Sequence, residues 1–75
     1  MYDTQKIALR IKQRSREIKA PLKEVLADCG LGINTVSNLA TGREISYLSF
    51  AALADRLDCS VDWLLGRTDR PEVNR

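Results

Sequence analysis

The sequence predicts an all-α fold, a compact bundle of five short helices. Three observations predict it. Apolar residues recur at helical spacing along most of the chain, serines or a proline stand where helices would begin, and glycines stand where helices would end. The 75 residues show no strand-like alternation, internal repeat or low-complexity tract. A chain of this length forms one small domain with a thin margin of stability.

The first two helices are predicted over residues 3–18 and 21–29. Each carries an apolar stripe, made of Ile7, Ile11 and Ile18 in the first and of Leu22, Val25, Leu26 and Cys29 in the second. Pro21 suits a first helical position, where its missing N–H would have no partner. Gly30 suits a helix end, because a left-handed backbone costs glycine little. The second helix therefore stops at a tight turn.

The third, fourth and fifth helices are predicted over residues 32–41, 47–57 and 61–65. Serines precede the last two as candidate N-caps and glycines follow the third and fifth as stops: Ser46, Ser60, Gly42 and Gly66. Residues 67–75 show no periodicity and are predicted to form a mobile tail, which places the domain at residues 1–66.

The net charge of +2 hides an asymmetry along the chain. Residues 1–20 hold six basic and two acidic side chains, whereas residues 46–65 hold three aspartates and one arginine. A basic end suits a polyanionic partner. It is weak evidence alone, because many solvated helices have the same composition.

Several classes of protein are disfavoured by what the sequence lacks. No apolar run approaches the roughly 20 residues of a membrane span. The first residues contain no signal-peptide core, so a cytoplasmic location is expected. The absence of histidine and of a Cys-x-x-Cys pair disfavours a metal site, and Cys29 and Cys59 are expected as reduced core residues, with redox activity of one of them as the alternative. No cofactor, small-molecule ligand or enzymatic activity is indicated.

The third predicted helix has an unusual outer side. Val36 and Leu39 face inward, while the opposite side carries short uncharged polar residues, Asn34, Ser37, Asn38 and Thr41. Such residues weaken helices, and a solvated side would favour Lys, Glu or Gln. An Asn amide can pair with the adjacent acceptor and donor of adenine in the major groove. Contact with DNA explains this composition; solvated side chains and turn or cap residues are the alternative.

Residues 6–66 resemble the phage-repressor and Cro type of helix-turn-helix domain, also called the xenobiotic-response-element family. The resemblance lies in "RIK" in the first helix, in "LKEVLADCGLGINTVSNLATG" and in "FAALADRLDCSVDWLLG". It implies a lambda-repressor-like bundle that binds double-stranded DNA in a sequence-specific manner, commonly as a homodimer on a pseudo-palindromic operator. The third helix would then lie in the major groove.

The resemblance also assigns roles to individual residues. It implies base contacts for Ile33, Asn34 and Asn38, with Ser37 in support, and Ile33 could meet a thymine methyl. It implies phosphate contacts for Thr41, the Gly42 backbone amide and Arg43. Weaker candidates for phosphate contacts are Lys23, Arg10 and Lys19.

The chain departs from the family pattern at three places, the smallest of which is Leu26, where a small residue is commonest. A phosphate-contacting glutamine is usual where this chain has Leu22, and a buried Arg–Glu pair is common where it has Ser15 and Ala40. Joint loss of both partners can be energetically neutral. The missing glutamine favours the alternative function, a protein-interaction module such as an antitoxin-like partner with weak DNA binding.

Trp63 is the only tryptophan of the chain and has two possible roles. It could belong to the core. Alternatively, it could anchor a homodimer, because aromatic residues are favoured at two-fold interfaces.

Overall fold

A computed structural model describes residues 2–72, which form five helices joined by short turns. The helices are α1 (Thr4–Glu17), α2 (Leu22–Asp28), α3 (Thr35–Ala40), α4 (Tyr47–Arg56) and α5 (Val61–Leu65). The described residues contain no β-strand. The predicted all-α class is therefore confirmed.

Helix α1 lies at the centre of the bundle. It packs against α2, α3 and α5, while α4 packs against α2 and α5. The side chains predicted to face inward form one apolar core, in which the fully buried large residues are Ile11, Val25, Leu26, Leu53, Leu57 and Leu64. The Cα radius of gyration is 11.1 Å. None of the described helices has the length and apolar character to span a bilayer.

All five helices end in the same backbone arrangement. A residue with positive φ follows the last turn, and the next amide donates back to the carbonyl five residues earlier, which defines a Schellman motif. These closing bonds join the amides of Ala20, Leu31, Arg43, Cys59 and Arg67 to the carbonyls of Ser15, Leu26, Asn38, Ala54 and Asp62. Glycine supplies the positive φ in three motifs, but Lys19 (58°) and Asp58 (52°) supply it after α1 and α4.

Side chains cap three of the helix starts. The hydroxyls of Ser46 and Ser60 accept hydrogen bonds from the amides of Ser49 at 3.2 Å and Trp63 at 3.0 Å. Both predicted serine caps are therefore confirmed. Asp3 caps α1 by accepting from the Gln5 amide at 2.9 Å.

Two arginines of α1 bind the C-terminal ends of the last two helices. Arg14 donates from Nε to the Leu57 carbonyl at 2.9 Å and from Nη2 to the Asp58 carbonyl at 2.8 Å. Arg10 donates from Nη1 to the Trp63 carbonyl at 2.6 Å. A cation is favourable at a helix C-terminus, where unpaired carbonyls point outward. The first helix is thus joined to α4 and α5 by polar bonds as well as by the core.

The chain after α5 remains bonded to the bundle through residue 71. The Pro71 carbonyl accepts a hydrogen bond from the Ser60 amide at 2.9 Å, and the Thr68 carbonyl accepts one from Arg10 at 3.2 Å. The lack of periodicity after Gly66 did not indicate these bonds. The last part of the predicted mobile tail, residues 73–75, lies outside the described residues.

Both cysteines are free thiols. Cys59 lies in the core, and burial raises its pKa to about 11. Cys29 packs against the core; burial, followed by the nearby Asp28 carboxylate, raises its pKa. The thiolate is the reactive form of cysteine, so these environments favour the unreactive thiol at neutral pH.

The Arg14 bonds to α4 predict a measurable loss of stability on Arg14→Met. Methionine retains much of the aliphatic stem but cannot donate to the two carbonyls. We expect the free energy of unfolding to fall by about 1.5–3 kcal/mol, as for hydrogen bonds from a charged group. Urea unfolding followed by circular dichroism measures this change. Arg16→Met on the exposed side of α1 is the matched control and should change stability by less than about 0.5 kcal/mol; equal effects of the two substitutions would contradict the role of Arg14.

The left-handed backbone at Lys19 predicts that Lys19→Gly stabilises the fold. Lysine has a Cβ that disfavours this conformation, whereas glycine adopts it freely. We expect a gain of roughly 0.5–1 kcal/mol in the free energy of unfolding. Lys19→Ala keeps the Cβ and removes the charge, so it separates the backbone effect from electrostatics. A gain with alanine as large as with glycine would show that backbone strain is not the cause.

Candidate nucleic-acid interface

The turn between α2 and α3 is fixed by local hydrogen bonds. Gly30 adopts a φ of 71°, which lets the Leu31 amide reach back to the Leu26 carbonyl at 2.8 Å. On the other side, the Thr35 hydroxyl donates to the Gly32 carbonyl at 2.7 Å. Leu31 packs against the core between these two bonds. The turn therefore sets the direction in which α3 leaves α2.

Helix α3 is shorter than the sequence predicted. It begins at Thr35, whereas the expected start was Gly32 or Ile33. Both the amide and the hydroxyl of Thr35 bind the Gly32 carbonyl, which holds residues 32–34 as a turn. Asn34 nevertheless has helical φ and ψ, and its carbonyl accepts from the Asn38 amide at 2.8 Å. The two asparagines are thus one helical turn apart.

The inner side of α3 is buried as predicted, and most polar side chains of the outer side form no hydrogen bond with the described residues. Val36 and Leu39 lie in the core, and Thr35 joins them there. Ile33 is 72% exposed. Asn34 and Ser37 are also exposed, and Asn38 is partly buried. Within residues 2–72 no hydrogen bond engages the side-chain amides of the two asparagines or the Ser37 hydroxyl.

Some of the residues expected to contact phosphate already use their hydrogen-bond donors within the chain, and others do not. Arg43 and Lys23 are exposed, and the described part of the chain contains no ion pair to either. The Gly42 amide already donates to the Leu39 carbonyl at 3.0 Å, within the motif that ends α3. The Thr41 hydroxyl donates to the Asn38 carbonyl at 2.9 Å. The one hydrogen of the Gly42 amide is therefore already used within the chain, and its expected phosphate contact stays a prediction that this geometry does not favour.

Only part of the basic character of α1 is available to a partner. The guanidinium of Arg10 binds two carbonyls and lies over the Trp63 ring, 4.8 Å from its centroid. Lys19 is exposed just after the helix. Of these two weaker candidates for phosphate contacts, Lys19 is the one whose charged group has no hydrogen bond or ion pair among the described residues.

The residues that differ from the pattern of the resembled family leave no buried polar side chain unpaired. Leu22 and Ala40 pack against the core. Ser15 is buried, and its hydroxyl donates to the Lys12 carbonyl at 2.8 Å. No buried side-chain polar atom of the described residues lacks a partner. Ser15 and Ala40 are both uncharged. These two positions therefore avoid the desolvation cost that a buried ion pair would have to offset.

Trp63 belongs to the core. Only 5% of its surface is exposed, and Arg10 covers its ring and binds its carbonyl. A dimer anchor needs surface that a second protomer can cover. The geometry therefore favours the core alternative for Trp63 over the dimer contact. The large apolar side chains that are exposed near α4 are instead Tyr47 and Leu48.

Residues 2–72 contain no group of three or more histidine, cysteine or acidic side chains placed to hold a metal ion. Comparison of the chain with known protein families, with curated proteins and with solved structures finds no match.

The burial of Trp63 predicts that Trp63→Ala destabilises the folded monomer. The substitution leaves a cavity and removes the ring under Arg10, and we expect the free energy of unfolding to fall by about 3–5 kcal/mol. Urea unfolding followed by circular dichroism checks this, with sedimentation velocity on the same samples. Val61→Ala, at a more exposed position of α5, is the control. Unchanged stability together with a changed oligomeric state would contradict the core assignment.

Proposed function

We propose that this protein is a sequence-specific transcriptional regulator, a repressor, that binds double-stranded DNA with α3 in the major groove. In this proposal α2, the turn at residues 30–34 and α3 form a helix-turn-helix of the phage-repressor and Cro type. One observation carries the proposal. On the outer side of α3 and of the residue before it, the side-chain polar groups of Asn34, Ser37 and Asn38 have no hydrogen-bond partner among the described residues.

The chemistry of these side chains suits base edges better than phosphates. Each asparagine amide offers a donor and an acceptor at fixed separation, which matches adenine in the major groove. The two amides lie one turn apart, so they face neighbouring base pairs. Ile33 offers an apolar surface at the start of the same side, suited to a thymine methyl.

Arg43 and Lys23 supply the phosphate contacts in this proposal. Arg43 follows the turn that ends α3, and its exposed side chain lies beside the helix that would enter the groove. Contacts of this kind fix the register on the duplex and give binding its dependence on salt. Binding as a homodimer to a pseudo-palindromic operator and a cytoplasmic location remain expectations from the sequence.

A protein-interaction module is the competing function, favoured by two observations. Leu22 occupies the position of a usual phosphate contact, and Tyr47 and Leu48 are 81% and 68% exposed, respectively. Selection of bound sites from random duplex DNA, followed by gel shift across a salt series, separates the two functions. A DNA-binding regulator retains its sequence preference while its affinity falls steeply with salt. Absence of any preferred duplex at low ionic strength would leave the interaction module as the better account.

The proposed roles predict different effects for the amide and arginine substitutions. Asn34→Ala and Asn38→Ala should each reduce discrimination at one base pair by about 1–3 kcal/mol, because a bidentate contact is lost. Arg43→Ala should weaken binding to all sequences alike and lower the salt dependence. Gel shift with the selected site and with single-base variants measures both quantities.

Gln13→Ala is the matched control for the asparagine substitutions. It removes a side-chain amide from the exposed surface of α1, where the amide binds Glu17 at 3.3 Å. Binding and discrimination should be unchanged. If the asparagine variants lose the same affinity for specific and for random duplexes, the assignment of base contacts is wrong.

A further inference from the structure

A groove opens on the side of the bundle where α1, α4 and α5 meet the end of α3. Its volume is about 590 Å³, within the range of sites for small organic molecules. The apolar lining comes from all four helices and the loop before α4: Ile7, Leu39, Ile45, Phe50, Val61 and Leu65. Few polar side chains interrupt it. The groove therefore suits a ligand with an apolar body.

Among the described residues, one charged side chain lines this groove. Glu44 is exposed at its edge, and no described residue forms an ion pair or hydrogen bond with its carboxylate. Tyr2 and Tyr47 also line the groove and bring aromatic rings to it. A carboxylate attracts a cation, and the faces of aromatic rings attract one as well. Charge and apolar lining together define the class of ligand.

We propose that this groove binds a small organic cation, an alkyl or aryl amine whose hydrocarbon part lies in the groove and whose ammonium group lies at Glu44. This site is separate from the exposed side of α3, and the proposal does not depend on DNA binding. A second copy of the chain is the less suitable occupant. A two-fold pair through this groove would bury the Glu44 carboxylate of each protomer in a largely apolar contact, and no described residue that lines the groove is a basic side chain that could pair with it.

The proposal is tested on the full chain without DNA by titration with two probes of opposite charge. 4-Phenylbutylamine and 4-phenylbutyrate share the ring and the chain length but carry an ammonium and a carboxylate group, respectively. Amide chemical shifts in ¹H–¹⁵N NMR spectra report where each binds. We expect saturable shifts at Ile45, Phe50 and Val61 with the amine, and about three- to fivefold weaker binding of the carboxylate, because a surface charge contact contributes up to about 1 kcal/mol, a factor of about five.

Glu44→Gln should weaken binding of the amine about three- to fivefold and remove the preference over the carboxylate. Glu24→Gln, the same change on the exposed surface of α2, should leave both affinities unchanged. Equal binding of the two probes, shifts away from the groove, or no effect of Glu44→Gln would overturn the proposal. A dimer detected by sedimentation in the absence of probe, together with slowed hydrogen exchange of the groove amides, would overturn it too.

Discussion

The structure depends on the packing of α3 against α1. A helix of six residues has little stability of its own, since nucleation costs more than so few backbone bonds return. Val36 and Leu39 hold it in place by packing into the core, to which α1 contributes the fully buried Ile11. The Schellman motif at Gly42 fixes its far end. Because the inner side supplies the stability, the outer side is free to carry residues that are poor for a helix.

Because only the inner side of α3 has to stabilise the helix, the composition of its outer side can be explained. Asn34, Ser37 and Asn38 would weaken an isolated helix, because short polar side chains compete for backbone bonds. In this bundle they make no such bonds, and their polar groups stay open. The threonines at the two ends behave differently. Thr35 and Thr41 each bind a nearby carbonyl and so belong to the scaffold.

Local features of the fold could be predicted from the sequence, and long-range polar contacts could not. The apolar spacing located all five helices, and the serine caps lie where expected because a cap is recognised from adjacent residues. The periodicity places the start of α3 too early, because it does not reveal the hydrogen bond from the Thr35 hydroxyl to the Gly32 carbonyl. The left-handed residues Lys19 and Asp58 were missed, since neither is glycine. The sequence makes Arg10 one of the weaker candidates for a phosphate contact, because an arginine that binds a distant carbonyl has the same spacing as a solvated one.

The two arginine bonds of α1 also constrain the order in which the chain can reach its final form. Arg10 and the Trp63 carbonyl are 53 residues apart, and Arg14 and the Leu57 carbonyl are 43 apart. At about 5–20 residues per second, translation produces the acceptors roughly 2–10 s after the donors. Until then the apolar side of the amino-terminal helix has no complete surface to cover it. A nascent chain halted before Leu57 would therefore expose that side for as long as the ribosome pauses.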